Sequence, residues 1–145
     1  MIALDTNVLS ALMRTQPDDA VVEWLDEQPA ESIWTTTVTV FEIRTGIDLL
    51  VPSRRRRRLE SALELLINDK LDSRVLSFDT AAAHAAGALA AREQRAGRTI
   101  EVRDAQVAGI ALARRATLAT GNLRHFTDLG VRLLDPWHPA APKRR

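Results

Sequence analysis

The chain has 145 residues, of which 46% are hydrophobic, so it can bury one substantial core but not two. The absence of cysteine excludes disulfides and thiolate metal sites. Because 20 basic residues nearly balance 19 acidic ones, the net charge of +1 produces no overall field that would indicate a nucleic-acid partner.

Short apolar or β-branched segments alternate with longer segments of helical pattern along the chain. In chain order, we predict a strand over 1–4, a helix over 18–27, a strand over 32–35, helices over 38–50 and 54–68, a strand over 74–77, helices over 80–94 and 105–113, and strands over 117–120 and 131–134. Ser53 and Asp79 are the expected N-caps of two of these helices. This alternation predicts an α/β fold with a mostly parallel central sheet of about five short strands, covered by helices on both faces.

We assign residues 1–138 to one domain and 139–145 to a basic, proline-containing tail that we expect to be flexible. The N-terminus lacks the basic segment and apolar stretch of a signal peptide. The longest stretch of small apolar residues, over 80–91, is interrupted by His84 and Gly87 and is shorter than the roughly 20 residues that a membrane-spanning helix needs. We therefore expect a cytoplasmic protein without a membrane partner.

Asp5 directly follows the first predicted strand and precedes Thr6 and Asn7. A buried strand of this kind delivers its last side chains to the carboxyl edge of a sheet, where open α/β folds bind ligands. The same aspartate could instead cap a following helix, and this motif alone does not separate the two roles. Asn7 fits either role, because its side chain is available to orient a neighbouring carboxylate.

Two further acids occupy suggestive positions. Glu42 lies in an otherwise apolar helix, where glutamate is usually exposed and could pair with Arg44 or Arg103. Gly46 lies one turn further on, where glycine costs about 1 kcal/mol, and its missing side chain would leave space beside the Glu42 carboxylate. Asp104 begins a helix of small residues, a position that the helix dipole also favours.

The acids Asp5, Glu42 and Asp104 would repel one another in a shared pocket unless a cation lay between them. The hypothesis from these residues is a divalent-metal site. Ligands that are all oxygen atoms select hard cations such as Mg²⁺, with Mn²⁺ as a plausible substitute.

Four segments together resemble the PIN-domain ribonucleases: IALDTNVL from Ile2, TVFEIRTGI from Thr39, RDAQVAGIA from Arg103 and LATGN from Leu118. Their order and spacing are similar to those of the VapC toxins of bacterial toxin–antitoxin pairs, especially the FitB-like branch, including the ending Pro136-Trp137-His138. Each segment alone is weak, but four in the right order within one small domain are specific. The resemblance covers roughly residues 1–138.

This resemblance implies a PIN-like domain that acts as the toxin of a type II toxin–antitoxin system and as a Mg²⁺-dependent endoribonuclease. It implies that Asp5 and Asp104 hold the metal ion, and that Glu42 ligates the ion or activates a water molecule. The products would carry 5′-phosphate and 3′-hydroxyl ends.

A fourth position departs from the fullest acidic pattern of the family. Relatives commonly carry Arg before Asn or Asp, and often a further Asp before the Phe, where this chain has Gly121, Asn122 and His125. Asn122 remains a candidate catalytic residue, since its carbonyl oxygen could hold a water or a second ion without contributing charge. We expect His125 to pack or to contact phosphate, because Mg²⁺ prefers oxygen ligands.

The resemblance also implies three partners: an RNA substrate, a second copy of the chain, and a cognate antitoxin, which is a small DNA-binding protein with a C-terminal inhibitory arm. An arginine of that arm could form a bidentate pair with two carboxylates, while the rest of the arm packs as a helix on apolar grooves. Two helix faces could contribute to a homodimer interface or could simply be core stripes, namely Val21, Val22, Trp24 and Leu25, and Leu59, Leu63 and Leu66.

Alternatives remain open on the sequence. A catalytically weakened RNA-binding PIN module would account for Asn122 and His125. A phosphatase with an aspartyl nucleophile would need an aspartate where Asn7 stands and a positioned lysine, whereas Lys70 follows a helix far from any strand end. The five consecutive arginines over 54–58 could contact RNA or could form a solvated helix face.

Overall fold

The computed structural model describes residues 1–139, so 140–145, most of the predicted basic tail, lie outside the described residues. The described part has five strands: β1 (Ile2–Leu4), β2 (Ile33–Thr36), β3 (Val75–Leu76), β4 (Thr117–Ala119) and β5 (Arg132–Leu134). Its seven α-helices are α1 (Thr6–Met13), α2 (Asp19–Asp26), α3 (Thr37–Asp48), α4 (Arg54–Leu65), α5 (Thr80–Arg95), α6 (Val102–Arg114) and α7 (Leu123–Phe126). A 3₁₀ turn over Ala30–Ser32 precedes β2, and a π-helical turn over Leu66–Lys70 extends α4.

All five strands are parallel and lie in the order β3-β2-β1-β4-β5. The chain passes from β1 to β2 and β3 on one side of β1, and then places β4 and β5 on the other side. β1 and β4 are therefore neighbours at the topological switch point, where open α/β sheets bind ligands at their carboxyl edge. Leu4 pairs with Ala119, so the two strands end side by side.

Alternate strand residues enter two separate cores, as the two-residue period of a strand requires. Leu4 and Ala119 belong to a core formed with α1, α2, α3 and α4, whereas Ala3 and Leu118 belong to a core formed with α5 and α6. Helices thus cover both faces of the sheet, which confirms the predicted α/β architecture. No helix within residues 1–139 is long and apolar enough to cross a membrane.

The two apolar helix faces considered for a dimer interface are largely core. Val21, Trp24, Leu25 and Leu63 are all buried in the core beneath α1 to α4. Their hydrophobic periodicity therefore reflects packing within the chain. Of the two alternatives considered for these faces, the four buried residues fit core packing.

The predicted N-caps are confirmed. Ser53 accepts a hydrogen bond from the Arg56 N–H at 3.1 Å, and Asp79 accepts one from the Ala82 N–H at 3.0 Å. Each side chain satisfies one of the backbone donors that the first turn of a helix leaves unpaired.

Two helices, α1 and α7, are missing from the predicted elements, and α6 begins at Val102 rather than at Ala105. α1 has only eight residues, which is shorter than the segment over which a helical period can be recognised. α6 starts after Glu101, whose side chain makes no capping hydrogen bond, so no capping interaction marks its beginning. As a result, Asp104 lies in the first turn of α6 rather than before it.

Gly109 allows α5 and α6 to approach closely. A Cβ atom at this position would lie 2.6 Å from the Ala82 carbonyl oxygen and 2.6 Å from Ala86 Cβ. No larger residue fits without moving backbone, which explains the small residues along both helices. This contact fixes the position of α6, which carries Asp104 in its first turn.

Candidate functional site

Asp5 lies at the end of β1 and is buried, with only 7% of its surface exposed. Its N–H continues the strand ladder by donating to the Ala119 carbonyl oxygen at 3.0 Å. Its side chain makes no capping hydrogen bond to α1, although Asp5 occupies the N-cap position. The carboxylate instead accepts a hydrogen bond from the Thr120 hydroxyl at 2.8 Å. The capping role considered for Asp5 is therefore not the role of its side chain.

Thr120 organises the loop beside Asp5. Its hydroxyl donates to Asp5 and accepts from the Asn7 side-chain amide at 3.2 Å and from the Asn122 N–H at 3.0 Å. These three bonds use the whole hydrogen-bonding capacity of a hydroxyl group. Asn7 in turn accepts from the Gly121 N–H at 2.9 Å. Asn7 thus acts on the Asp5 carboxylate through Thr120.

Glu42 projects from α3 towards the start of α6, with 13% of its side chain exposed. Arg103 Nε lies 2.9 Å from Glu42 Oε1, whereas Arg44, the other predicted partner, pairs with Asp48. Burial raises the pKa of Glu42, while Arg103 and the nearby Thr6 hydroxyl lower it. The Thr6 hydroxyl is buried, yet among the described residues no group meets hydrogen-bond geometry with it.

Asp104 lies in the first turn of α6 with 14% of its side chain exposed. Its Oδ2 lies 3.2 Å from Nδ1 of His125, which α7 carries. Burial raises the pKa of Asp104, and the neighbouring His125 lowers it. His125, which we predict to pack or to contact phosphate, is half exposed and its Nδ1 contacts an acid of the site.

The three acids share one region of the molecule. Asp5 and Asp104 both raise the pKa of Glu42 through charge repulsion, although burial has the larger effect. Within residues 1–139, however, no three acidic or histidine side chains are close enough to form a ready-made ion site. Glu42 contacts the Arg103 guanidinium and Asp104 contacts the His125 imidazole instead. The donors are nevertheless all oxygen atoms, and the unpaired Thr6 hydroxyl beside Glu42 adds another, so the group of side chains suits a hard divalent cation.

Asn122 follows β4 and is exposed, and its side chain does not cap α7. Its backbone N–H donates to the Thr120 hydroxyl, which also contacts Asp5. Gly121, between Thr120 and Asn122, lies beneath Trp137: an added Cβ would approach Trp137 Cζ3 to 2.9 Å. The Trp137 indole N–H donates to Asp18 at 3.0 Å, so the Pro136-Trp137-His138 segment holds this loop from outside.

Two further cavities adjoin these elements. An apolar groove of about 560 Å³ lies between α1, α2 and α4, and Leu12, Val22 and Leu66 contribute to its walls. Lys70, the lysine considered for a phosphatase, lines this groove and not the acidic site. A second cavity of about 370 Å³ lies between α1, α3 and α4 and reaches Glu42. Gly46 lines it, and no atom lies within 4 Å of where its Cβ would be, so there is open space beside the carboxylate.

A model of the PIN domain matches residues 2–131, and the chain therefore belongs to the PIN-domain family, as its motifs predict. Three relatives are similar to this chain over almost their whole length. Plasmid stability protein StbB of Pseudomonas syringae pv. tomato is 39% identical, over 94% of this chain and 99% of the relative. VapC ribonuclease Y4jK of Sinorhizobium fredii is 35% identical, over 97% and 100%, and Toxin FitB of Neisseria gonorrhoeae is 33% identical, over 95% and 99%.

The fold is also that of a solved relative. The structure of FitAB bound to an IR36 DNA fragment contains a chain that superposes with a TM-score of 0.86 at 32% identity, covering 97% of this chain and 99% of that one. The predicted similarity to VapC and FitB proteins is thus confirmed in sequence and in fold.

Thr120 is the site residue that the sequence analysis does not identify. Replacing it with valine keeps its approximate size but removes one donor and leaves the Asn7 amide and the Asn122 N–H without their acceptor. We expect Thr120→Val to lower the free energy of unfolding by about 1–3 kcal/mol. Thr120→Ser keeps the hydroxyl, so it should lower the free energy of unfolding by less. Urea unfolding measures both, and equal losses in the two variants would contradict the role given to the hydroxyl.

Proposed function

We propose that this protein is a metal-dependent endoribonuclease and the toxin of a type II toxin–antitoxin pair. One observation carries the proposal: Asp5, Glu42 and Asp104 come from three different elements to the carboxyl edge of the sheet at its switch point. The relationship to a VapC ribonuclease over nearly the full chain supports the same reaction class. Since the substrate is RNA, the protein would act in the cytoplasm.

Asp5, Glu42 and Asp104 are the residues that would hold Mg²⁺ or, as a substitute, Mn²⁺. The bound ion would lower the pKa of a water molecule, orient the scissile phosphate and neutralise developing charge. On the protein side, Thr120 fixes the orientation of Asp5. Arg103 favours the ionised form of Glu42 against the effect of burial, which keeps this carboxylate available as a ligand or base. Asn122 would support the attacking water through its carbonyl oxygen.

Conservative replacement of the acids tests this assignment. Asp5→Asn, Asp104→Asn and Glu42→Gln remove one charge each and should reduce Mg²⁺-dependent RNA cleavage by more than about 100-fold, whereas Asn122→Ala should cost about tenfold. The fold should persist, because clustered carboxylates are an electrostatic liability to the folded state. Cleavage of total RNA with Mg²⁺ and with EDTA, followed by analysis of the RNA ends, measures activity.

Wild-type protein that binds RNA but leaves it intact at saturating Mg²⁺ would favour the catalytically weakened RNA-binding module. Full activity in both aspartate variants would refute the site itself. Circular dichroism of each variant separates loss of chemistry from loss of structure.

The proposed partner is a small DNA-binding antitoxin. The FitAB neighbour was solved bound to DNA, and the apolar groove between α1, α2 and α4 has the shape and chemistry that an amphipathic helix requires. An arginine following that helix would enter the acidic site and form a bidentate pair with two carboxylates. The incoming arginine would replace the contacts that Arg103 makes with Glu42 and His125 makes with Asp104.

Inhibition of this kind predicts competition between the partner and the metal ion. Adding Mg²⁺ to the purified complex should weaken the binding of the antitoxin arm, and removing the arm should restore cleavage. Isothermal titration of Mg²⁺ into the free toxin and into the complex measures the competition. If the arm is dispensable for inhibition and the complex binds Mg²⁺ as tightly as the free toxin does, the arginine does not occupy the pocket.

We further propose a homodimer. The large apolar side chains of Phe41 and Val102 are 69% and 74% exposed. They directly precede Glu42 and Arg103, whose side chains are in contact, so they lie on the two helices that meet at the site. Large apolar side chains exposed on two neighbouring helices favour association.

Light scattering at micromolar concentration without antitoxin should give the mass of a dimer, and Phe41→Glu should shift it towards that of a monomer. Val51→Glu, at a residue that is 75% exposed outside α3, serves as the control and should leave the mass unchanged. A monomeric wild-type protein would contradict the dimer.

A further inference from the structure

We propose that the cavity between α1, α3 and α4 binds the phosphate backbone of single-stranded RNA beside the acidic site. We call this cavity the basic cleft; Thr6, Glu42, Arg14, Arg55 and Arg58 are among its lining residues. The inference rests on the proposed ribonuclease function and names the surface that would hold its substrate.

The basic cleft leads away from the acidic site along α1. Thr6 and Glu42 line it where α1 begins, and Arg14 lines it just after α1 ends. Thr6 and Arg14 are eight positions apart along α1, which corresponds to roughly 12 Å. Arg58 Nη1 donates to the Met13 carbonyl oxygen at 3.1 Å, which fixes this arginine at the same far end. The cleft therefore joins an acidic end to a cationic end within reach of one RNA strand.

The basic cleft has an excess of positive charge, and two of its arginines are unpaired among the described residues. Its lining contains three arginines and a single carboxylate, in a chain whose net charge is only +1. Within residues 1–139, the guanidinium groups of Arg14 and Arg55 have no hydrogen-bond or ion-pair partner. Arg56, by contrast, is held by Glu60 and Asp48 and is not among the lining residues of the cleft. The run over 54–58 is thus divided, with part of it stabilising the fold and part of it lining the cleft.

The chemistry of the basic cleft favours RNA over a peptide helix. A guanidinium group matches the geometry of phosphate oxygens and is weakly hydrated, so it binds phosphate well at a partly enclosed surface. Both cavities have apolar walls, but the apolar groove on the other side of α1 carries one lysine and two acids, whereas the basic cleft carries three arginines and one acid. A strand held by Arg14 and Arg55 would have a neighbouring phosphodiester beside Glu42.

Salt-dependent binding of RNA to the metal-free protein tests the basic cleft without requiring cleavage. The probe is a short fluorescent single-stranded RNA, measured by anisotropy in EDTA at several KCl concentrations. Arg14→Gln and Arg55→Gln should each flatten the dependence of log K on log salt by about 0.7, the contribution of one phosphate contact. The double variant should bind about tenfold more weakly or worse at low salt. Arg57→Gln, an exposed residue of the same run outside the cleft, is the matched control and should bind like wild type.

A second variant blocks the basic cleft without changing charge. Gly46 has open space around its missing Cβ, so Gly46→Leu can fold while filling the cleft. Because glycine weakens a helix, this change should raise the melting temperature while reducing RNA affinity. Gly87→Leu is the control, since Gly87 also has open space but lies on α5, and it should leave RNA affinity unchanged.

Equal RNA binding by wild type and the Arg14 and Arg55 variants would overturn the proposal, as would equal losses in Arg57→Gln. Weaker binding of the antitoxin arm with unchanged RNA binding would assign the basic cleft to the protein partner and overturn it too. A wild type that binds RNA through these arginines but fails to cleave it with Mg²⁺ would leave the basic cleft standing and refute the ribonuclease. If the wild type cleaves RNA while the cleft variants bind RNA as the wild type does, the ribonuclease function would stand and the basic cleft would be refuted.

Discussion

Parallel pairing of β1 with strands on both of its sides is the constraint on which the site depends. β1 has only three residues, and β2 and β4 flank it. The Asp5 N–H extends the ladder to Ala119, so the sheet itself positions the first acid. Thr120 then meets the Asp5 carboxylate because it is the next residue along β4. A slip of β4 by one residue would turn the hydroxyl to the opposite face and leave Asp5 buried without its donor.

Three neighbouring acids are tolerated because each has a different compensating group. The Thr120 hydroxyl donates a hydrogen bond to Asp5, the Arg103 guanidinium pairs with Glu42, and the His125 imidazole contacts Asp104. The first of these partners is buried, whereas Arg103 and His125 are about half exposed. The exposed partners can therefore turn towards solvent when another cation approaches, while the Thr120 contact stays in place. This division lets the site be folded and still be open to a ligand.

The elements with a strong local pattern could be predicted from the sequence, and those defined by tertiary contacts could not. The five strands and the helices capped by Ser53 and Asp79 carry their own signals. α1 has only eight residues, too few for its helical period to be recognised in the sequence. The acids were identified by their motifs, but their pairing partners depend on which strands and helices become neighbours. Thr120 reads as the end of a strand, and only the adjacency of β1 and β4 makes it a site residue.

The same adjacency joins the beginning of the chain to its last third. Asp5 and the hydroxyl that orients it are separated by 115 positions, with four helices of the first core and both helices of the second between them. A contact this distant in sequence closes a long loop, which costs chain entropy and slows folding. A nascent chain that has not yet been extended past Thr120 carries Asp5 and Glu42 but has no β4 to complete the sheet beside them. A chain that stops before Thr120 therefore lacks the contact that orients Asp5.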